Sequence, residues 1–202
     1  MKPSSSIVYV VDVDVSGREA LASLIGSVAL KVECFASPQE FLRRRNWDGP
    51  SCVILDVRMP GLGGLDLQRE LVRAEQPIPI VFISAYGDIP MVVRAMKAGA
   101  VEFLAKPFRD EDLLDAIRQA LDRDQAARAR HAELAGVTSR YAQLTTRQRQ
   151  IAAKIVEGKL NKQIAAELEL SEHTIKIHRR RIMEKMGAAN AASLVHLMEQ
   201  LV

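Results

Sequence analysis

The sequence predicts an α/β protein: a doubly wound, five-stranded parallel sheet, joined by a helical linker to an all-α domain of four helices containing a helix-turn-helix. Over residues 1–122, short apolar runs alternate with segments of helical periodicity. Such alternation is typical of a parallel sheet covered by helices. Residues 141–202 show no strand pattern, and their net charge is +4, against −1 for residues 1–140. This charge asymmetry favours a nucleic-acid surface in the second part.

Five short apolar runs, several rich in β-branched residues, predict the strands. They are Ile7–Val11, Lys31–Phe35, Cys52–Leu55, Ile78–Ser84 and Val101–Ala105. In sheets of this class the active crevice lies at the carboxyl ends of the strands. The residues expected at those ends are Asp12, Asp56, Ser84 and Lys106.

Helices are predicted between the strands, each with a start or stop signal. Ser16 is expected to cap a helix that runs to about Ser27. Pro38 lies in the first turn of the next helix, which should direct Phe41 and Leu42 inward. The remaining helices are predicted at Gly64–Ala74, Asp88–Ala98 and Asp110–Leu121.

The polar residues 123–140 predict a helical linker between a first domain, residues 1–122, and a second, residues 141–202. We expect this helix to end near Gly136, with Leu134 as its one clear apolar anchor. The second domain should contain helices at about 146–157, 161–168, 172–186 and 191–201, with Thr145 or Thr146 and Ser171 as caps.

The bulk composition indicates a cytoplasmic protein. None of the apolar runs approaches the roughly 18 residues that a membrane-spanning helix needs. The first six residues lead directly into a strand pattern and lack a signal-peptide core. Cys34 and Cys52 both lie in strand-like apolar runs, which favours two reduced core thiols over a disulfide.

Asp56 follows the apolar run Cys52–Leu55 and precedes a loop rich in Pro and Gly. A carboxylate in this position can accept a phosphoryl group or hold a metal ion. Lys106 and Ser84 would supply a positive charge and a hydroxyl to the phosphoryl oxygens. Mg²⁺ is the expected metal because it prefers hard oxygen ligands. Phe103 could follow the state of Ser84 by moving inward or outward, or could be plain core.

Residues 1–122 resemble the receiver domain of two-component response regulators. The motifs that carry the resemblance are Val10–Asp12, Asp56–Pro60 with Gly64, Ser84–Ala85, Ala95–Ala100 and Lys106–Phe108. The resemblance implies that Asp56 is the phosphoacceptor, that Ser84 and Lys106 contact the phosphate, and that Phe103 is the switch aromatic. It also implies a Mg²⁺ ion held by Asp12, by Asp56 and by the backbone carbonyl of Arg58. The Lys106–Pro107 peptide is expected to be cis.

One position departs from the receiver pattern, because Val13 stands where the family has a second acid that usually reaches the metal. Mg²⁺ has few protein ligands, so losing one carboxylate should weaken its binding. This predicts weak or absent magnesium-dependent phosphorylation. The open alternative is that Asp12, acting through water, or Asp14 compensates.

The helix predicted from Glu172 to Met186 is expected to bury Ile175, Ile182 and Met186, with Arg179 or Met183 partly beside them. Its opposite face carries Lys176 and Arg180, four residues apart, together with Ile177. A helix in the DNA major groove can place basic side chains at guanine and an apolar one at a thymine methyl. The alternative is an amphipathic helix with solubilising charges.

Residues 141–202 are similar to the LuxR/FixJ-type DNA-binding domain. The similar segments are Leu144–Gln150, Asn161–Ala165 and Ser171–His178. The resemblance implies that Lys176, Ile177 and Arg180 face bases, that Lys162, Thr174, His178 and Arg181 lie near phosphates, and that the last helix forms a dimer. Glu169 stands where the family has glycine in the turn. A residue with a Cβ adopts a left-handed conformation only at a cost, so we expect this turn to be either slightly strained or rearranged.

Together the two resemblances predict a response regulator that controls transcription by sequence-specific DNA binding. A sensor histidine kinase would phosphorylate Asp56, and the active form would be a homodimer. The first alternative is a pseudo-receiver regulator controlled without phosphorylation, which Val13 favours. A second alternative is a phosphatase that also uses a strand-end aspartate. Such phosphatases have a second Asp two residues later, where this chain has Arg58, so we expect no enzyme activity.

Overall fold

A computed structural model describes residues 6–74 and 77–201 of the chain. The chain divides into two units, Met1–Arg128 and Ala129–Val202. The first unit contains five strands: β1 (Ile7–Val11), β2 (Lys31–Phe35), β3 (Ser51–Asp56), β4 (Ile80–Ser84) and β5 (Glu102–Ala105). All neighbouring strands pair in parallel in the order β2-β1-β3-β4-β5. The predicted α/β class and five-stranded parallel sheet are therefore confirmed.

Helices connect these strands and form the second unit. The bounds are α1 (Val15–Ser27), α2 (Pro38–Leu42), α3 (Gly64–Arg73), α4 (Ile89–Lys97), α5 (Asp110–Ala142), α6 (Thr146–Val156), α7 (Asn161–Glu167), α8 (Glu172–Met186) and α9 (Ala191–Glu199). The boundary between the two units lies within α5.

The strand register brings the candidate residues to one edge of the sheet. In the pairing of β1 with β3, Val11 lies opposite Leu55, so Asp12 and Asp56 follow at the same level. In the pairing of β4 with β5, Ser84 lies opposite Ala105, directly before Lys106. Side chains of β3 alternate between two apolar cores, one on each face of the sheet. The buried strands thus fix the positions of the polar residues that follow them.

Three local predictions for the first unit are wrong. Asp14, not Ser16, caps α1, because its carboxylate Oδ2 accepts a hydrogen bond of 2.8 Å from the Gly17 amide. Leu42, at the end of α2, is exposed instead of facing inward with the buried Phe41. Cys34 is exposed, because β2 is an edge strand with mostly exposed residues, whereas Cys52 is buried as expected.

The helix of the predicted linker does not end near Gly136 but continues to Ala142. The expected anchor Leu134 is exposed. Val137 is fully buried instead, and it packs in the apolar core of the second unit with Leu144 and Ile151. A glycine inside a helix costs only about 1 kcal/mol relative to alanine. The packing of Val137 outweighs this cost, so the helix continues through Gly136.

The second unit is all-helical, as predicted. Thr145 caps α6, and Ser171 caps α8 by accepting a hydrogen bond of 3.0 Å from the Thr174 amide. Gly187 ends α8 in the left-handed conformation, with φ of 68°. Glu169 is also left-handed, with φ of 53°, so of the two expected outcomes the turn is strained and not rearranged. None of the helices in the described part of the chain is both long and apolar enough to cross a membrane.

Candidate functional site

Lys106 joins two carboxylates at the carboxyl edge of the sheet. Its Nζ donates to Asp12 Oδ2 at 3.0 Å and to Asp56 Oδ2 at 2.9 Å. Asp12 is only 1% exposed, while Asp56 and Lys106 are half-buried. These residues are 94 and 50 positions apart from Lys106 along the chain. The sheet therefore assembles a compact site with two negative charges and one positive charge. The Lys106–Pro107 peptide is cis.

Backbone groups hold both carboxylates in place. Asp12 Oδ1 accepts a hydrogen bond of 2.9 Å from the Asp14 amide, and Asp56 Oδ1 accepts one of 2.9 Å from the Arg58 amide. Arg18, on α1, donates to the Asp12 carbonyl at 2.6 Å. Each acid thus uses one carboxylate oxygen for its own loop and the other for Lys106. These hydrogen bonds fix the orientation of both carboxylates.

The two carboxylates change the protonation behaviour of Lys106. Burial acts to lower the pKa of its ammonium group, but the hydrogen bonds that it donates to Asp56 and then to Asp12 outweigh burial, so the net pKa is raised. Lys106 therefore carries its positive charge throughout the neutral range, and it can attract the oxygens of a phosphoryl group.

Ser84, at the end of β4, is buried and uses its hydroxyl locally. Its Oγ donates to the Tyr86 carbonyl at 2.8 Å and accepts from the Tyr86 amide at 3.2 Å. The Arg58 guanidinium lies 4.7 Å from the centre of the exposed Tyr86 ring. Tyr86 was not predicted from the sequence. Its position could have been inferred from spacing, because Arg58 and Tyr86 each lie two residues after the end of a neighbouring strand, so that their loops meet at one edge of the sheet.

Phe103, in β5, is half-buried beside Phe82, with ring centres 6.1 Å apart. Its ring edge lies 2.9 Å from the point that a Cβ on Gly87 would occupy. Glycine at position 87 therefore lets the loop that follows Ser84, the last residue of β4, approach the aromatic ring closely.

The groups that could hold Mg²⁺ are the carboxylates of Asp12 and Asp56 and the backbone carbonyl of Arg58. This is an oxygen donor set with two carboxylates, which fits the chemistry of Mg²⁺. Val13 is 41% exposed and offers no ligand, and the Asp14 carboxylate is engaged in capping α1. Across residues 6–74 and 77–201, no group of three or more His, Cys, Asp or Glu side chains is placed to bind a metal.

Gly64 permits the close packing of α3 against the end of β3. A Cβ at this position would lie 2.4 Å from the Asp56 carbonyl oxygen. Replacing it, Gly64→Ala, should lower the free energy of unfolding by about 2 kcal/mol, since backbone atoms must move. Urea denaturation followed by circular dichroism measures this loss. The matched control is Gly26→Ala in α1, where the new Cβ would have no described atom within 4 Å apart from the adjoining backbone of its own helix. That variant should be equally or more stable, and equal losses in both would contradict the packing argument.

In the second unit, α8 buries Ile175, Ile182 and Met186 as predicted, while Arg179 and Met183 are half-buried. Its opposite face exposes Lys176, Ile177, Arg180 and Arg181, and Lys162 on α7 is also exposed. Thr174 and His178 are half-buried, and His178 Nδ1 is buried with no hydrogen-bond partner among the residues that the structure describes. An exposed basic helix face that includes one aliphatic residue is suited to a DNA major groove.

One of the basic residues on this face is already paired. Arg180 Nε lies 2.8 Å from Glu184 Oε1, one turn along α8, and both side chains are exposed. An exposed pair of this kind contributes only about 0.3–0.5 kcal/mol. Arg180 can therefore leave Glu184 at little cost when a better acceptor is present.

Comparisons with known proteins match both units. The family model of the response regulator receiver domain matches residues 8–118. The model of bacterial regulatory proteins of the luxR family matches residues 142–198.

The chain is also similar to whole proteins. It is 46% identical to response regulator protein TodT of Pseudomonas putida, over 100% of this chain and 88% of TodT. It is 47% identical to nodulation protein W of Bradyrhizobium diazoefficiens, over 98% of this chain and 87% of that protein. The solved structure of response regulator StyR matches with a TM-score of 0.88 and 45% identity, covering 97% of this chain and 99% of StyR. The chain therefore belongs to the two-component response regulators that regulate transcription through a LuxR-type DNA-binding domain.

Proposed function

We propose that phosphorylation of Asp56 by a sensor histidine kinase controls sequence-specific DNA binding by this response regulator. The observation that carries the proposal is the position of Lys106, whose ammonium group lies 2.9 Å from Asp56 Oδ2. The same edge of the sheet carries Asp12 and the hydroxyl of Ser84. The site thus combines a nucleophilic carboxylate with a cation and a hydrogen-bond donor for the transferred group.

In the proposed transfer, a carboxylate oxygen of Asp56 attacks the phosphorus of the kinase phosphohistidine. A phosphorus–oxygen bond forms, the phosphorus–nitrogen bond breaks, and the imidazole leaves with the bonding electron pair. Lys106 would then contact a phosphoryl oxygen, and Ser84 would exchange its hydrogen bond to Tyr86 for one to the phosphoryl group. Phe103 would follow Ser84 as the switch aromatic. Asp12, Asp56 and the Arg58 carbonyl would hold Mg²⁺, which when bound offsets negative charge on the phosphoryl oxygens.

For the DNA-binding half, we propose that Lys176, Ile177 and Arg180 contact base edges. Lys162, Thr174, His178 and Arg181 would contact phosphates, which fix the orientation of the domain. Residues 1–122 would form the receiver, 123–140 the linker and 141–202 the DNA-binding domain. The active form would be a homodimer on a two-half-site operator. DNA binding, not turnover of a small substrate, is the proposed activity.

A second candidate is a pseudo-receiver regulator, in which partner contact or protein level replaces phosphorylation. The observation that favours it is Val13, an exposed valine directly after Asp12 in the sequence. Magnesium would then bind weakly or not at all, and Asp56 and Lys106 would remain as a structural ion pair.

Incubation with acetyl phosphate and Mg²⁺, followed by intact-mass measurement, separates the two candidates. The proposed function predicts one added phosphoryl group, present in the unaltered chain and absent from Asp56→Asn. Labelling that is slow with acetyl phosphate but rapid with a phosphorylated kinase would still support it. A chain that binds DNA yet takes no phosphoryl group from either donor would establish the pseudo-receiver.

A further inference from the structure

A groove of about 520 Å³ lies in the second unit, beside the exposed face of α8. Helices α7 and α8 and the turn after α6 line it. Three of its lining residues are cations, Lys159, Lys162 and Arg179, whereas Glu172 is the one acid among the described lining residues. The groove therefore has a net positive charge.

The three cations differ in how their charge is balanced. Lys159 forms ion pairs with Glu157, at 3.2 Å, and with Glu167. Neither Lys162 nor Arg179 has an ion-pair partner in the part of the chain that the structure describes. Arg179 is half-buried, so its side chain loses some contact with water without gaining a carboxylate. Two uncompensated positive charges on one groove suit a negatively charged ligand.

Helix geometry places Arg179 on one flank of α8. With 3.6 residues per turn, the spacing of Glu172, Lys176 and Arg179 puts them along one side of the exposed face. Thr174, His178 and Arg181 follow the opposite side with the same spacing. A helix seated in the major groove lies between two phosphate backbones. The proposed contacts of Thr174, His178 and Arg181 lie on one side of α8, and Lys162 is the one phosphate contact proposed so far on the groove side.

We infer that Arg179 is a further phosphate-contacting residue, which together with Lys162 holds the DNA backbone on the groove side of α8. This inference rests on the proposed DNA-binding function and adds Arg179 to Lys162 as a phosphate contact on the groove side of α8. In this role Arg179 orients α8 on the DNA and contacts no base. Its removal therefore weakens binding to all sequences equally.

The test is the salt dependence of DNA binding by the full chain. Fluorescence anisotropy of a short, labelled, mixed-sequence duplex is measured between about 50 and 200 mM NaCl. For Arg179→Gln, the slope of log K against log [NaCl] should become shallower by about 0.9, so its loss of affinity is roughly threefold larger at the low-salt end. Arg179→Lys should keep the original slope, because it keeps the charge. Thermal melting followed by circular dichroism confirms that both variants fold.

A matched control separates local contact from net charge. Arg130→Gln removes the same charge from an exposed position of α5, outside the groove, and should leave the slope unchanged. An unchanged slope in Arg179→Gln would overturn the inference. If Arg179→Gln with an unchanged slope also lost binding to poly-glutamate, measured in the same way, the groove would be assigned to an acidic protein instead. Absence of duplex binding by the unaltered chain would instead end the proposed DNA-binding function, and this inference with it.

Discussion

Val13→Asp is expected to raise the rate of magnesium-dependent phosphorylation of Asp56 by about tenfold or more. The substitution adds a carboxylate beside Asp12, at the position where receiver domains have a second acid. Even groups that only support a metal ligand change metal affinity by about 10–100-fold, so a direct ligand should do at least as much. Because Val13 is 41% exposed, the new charge meets water and should not disturb the core. The measurement is the initial rate of labelling by acetyl phosphate at several Mg²⁺ concentrations.

Val15→Asp is the control for this gain. Val15 is the first residue of α1 and is 56% exposed, so the variant adds the same charge in the same region without joining the carboxylate pair. It should label at the original rate. Equal acceleration by both variants would show a general electrostatic effect. Fast labelling of the unaltered chain, without further gain in Val13→Asp, would mean that Asp12 or Asp14 already compensates.

Lys106→Met is expected to lower the free energy of unfolding by about 2 kcal/mol at neutral pH. Loss of the ammonium leaves Asp12, which is almost fully buried, without its charged partner. Removing one partner of a fully buried pair costs about 3–5 kcal/mol, whereas exposed pairs contribute about 0–1. The half-buried Lys106 should lie between these limits. Urea denaturation measures the loss, and Lys97→Met on α4, where the lysine is exposed, should change stability by less than about 0.5 kcal/mol.

The ion pairs of Lys106 also predict how the stability loss in Lys106→Met depends on pH. Because folding raises the pKa of Lys106, its contribution is fully present below the ordinary lysine pKa of about 10.4 and is lost as the pH rises through the higher folded value. The stability gap between the unaltered chain and Lys106→Met should therefore stay constant from neutral pH to about 10 and shrink above it. A gap that narrows between about pH 7 and 9 would contradict the charged pair.

The sheet and the location of the candidate site followed from local patterns. The run Cys52–Leu55 predicts a buried strand on its own, and strand ends of a parallel sheet must share an edge. The individual hydrogen bonds could not be predicted in this way. Lys106 reaches both Asp12 and Asp56 only because of the register between strands that are far apart in the sequence. Register depends on the packing of both sheet faces, which no single segment contains.

The start of α1 shows a different limit. Asp14 and Ser16 both have side chains that can cap a helix, and intrinsic preference does not separate them. The Asp14 amide bonds the Asp12 carboxylate, which fixes the loop so that the helix begins directly after Asp14. The site therefore decides the cap.

Gly136 illustrates a tertiary effect on a local signal. Glycine in a polar segment predicts the end of a helix, and Leu134 is the anchor that the sequence predicted for it. In the structure, Val137 and Tyr141 pack on the core of the second unit, which keeps the segment helical through Gly136. The buried face of this helix is set by core residues such as Ile151 and Leu194. These residues lie outside the segment, so the segment alone does not predict which of its residues are buried.

If Arg180 contacts bases as proposed, its ion pair with Glu184 has a consequence for target search. A free arginine on a recognition helix is attracted to every stretch of DNA, and a genome offers on the order of 10⁶ or more competing nonspecific sites. While Arg180 is held by Glu184, that attraction is partly cancelled. A guanine with two acceptors would displace the carboxylate more readily than a base that offers a poorer match. The acid on the helix would then shorten residence on wrong sequences more than on the operator, and so favour discrimination over raw affinity.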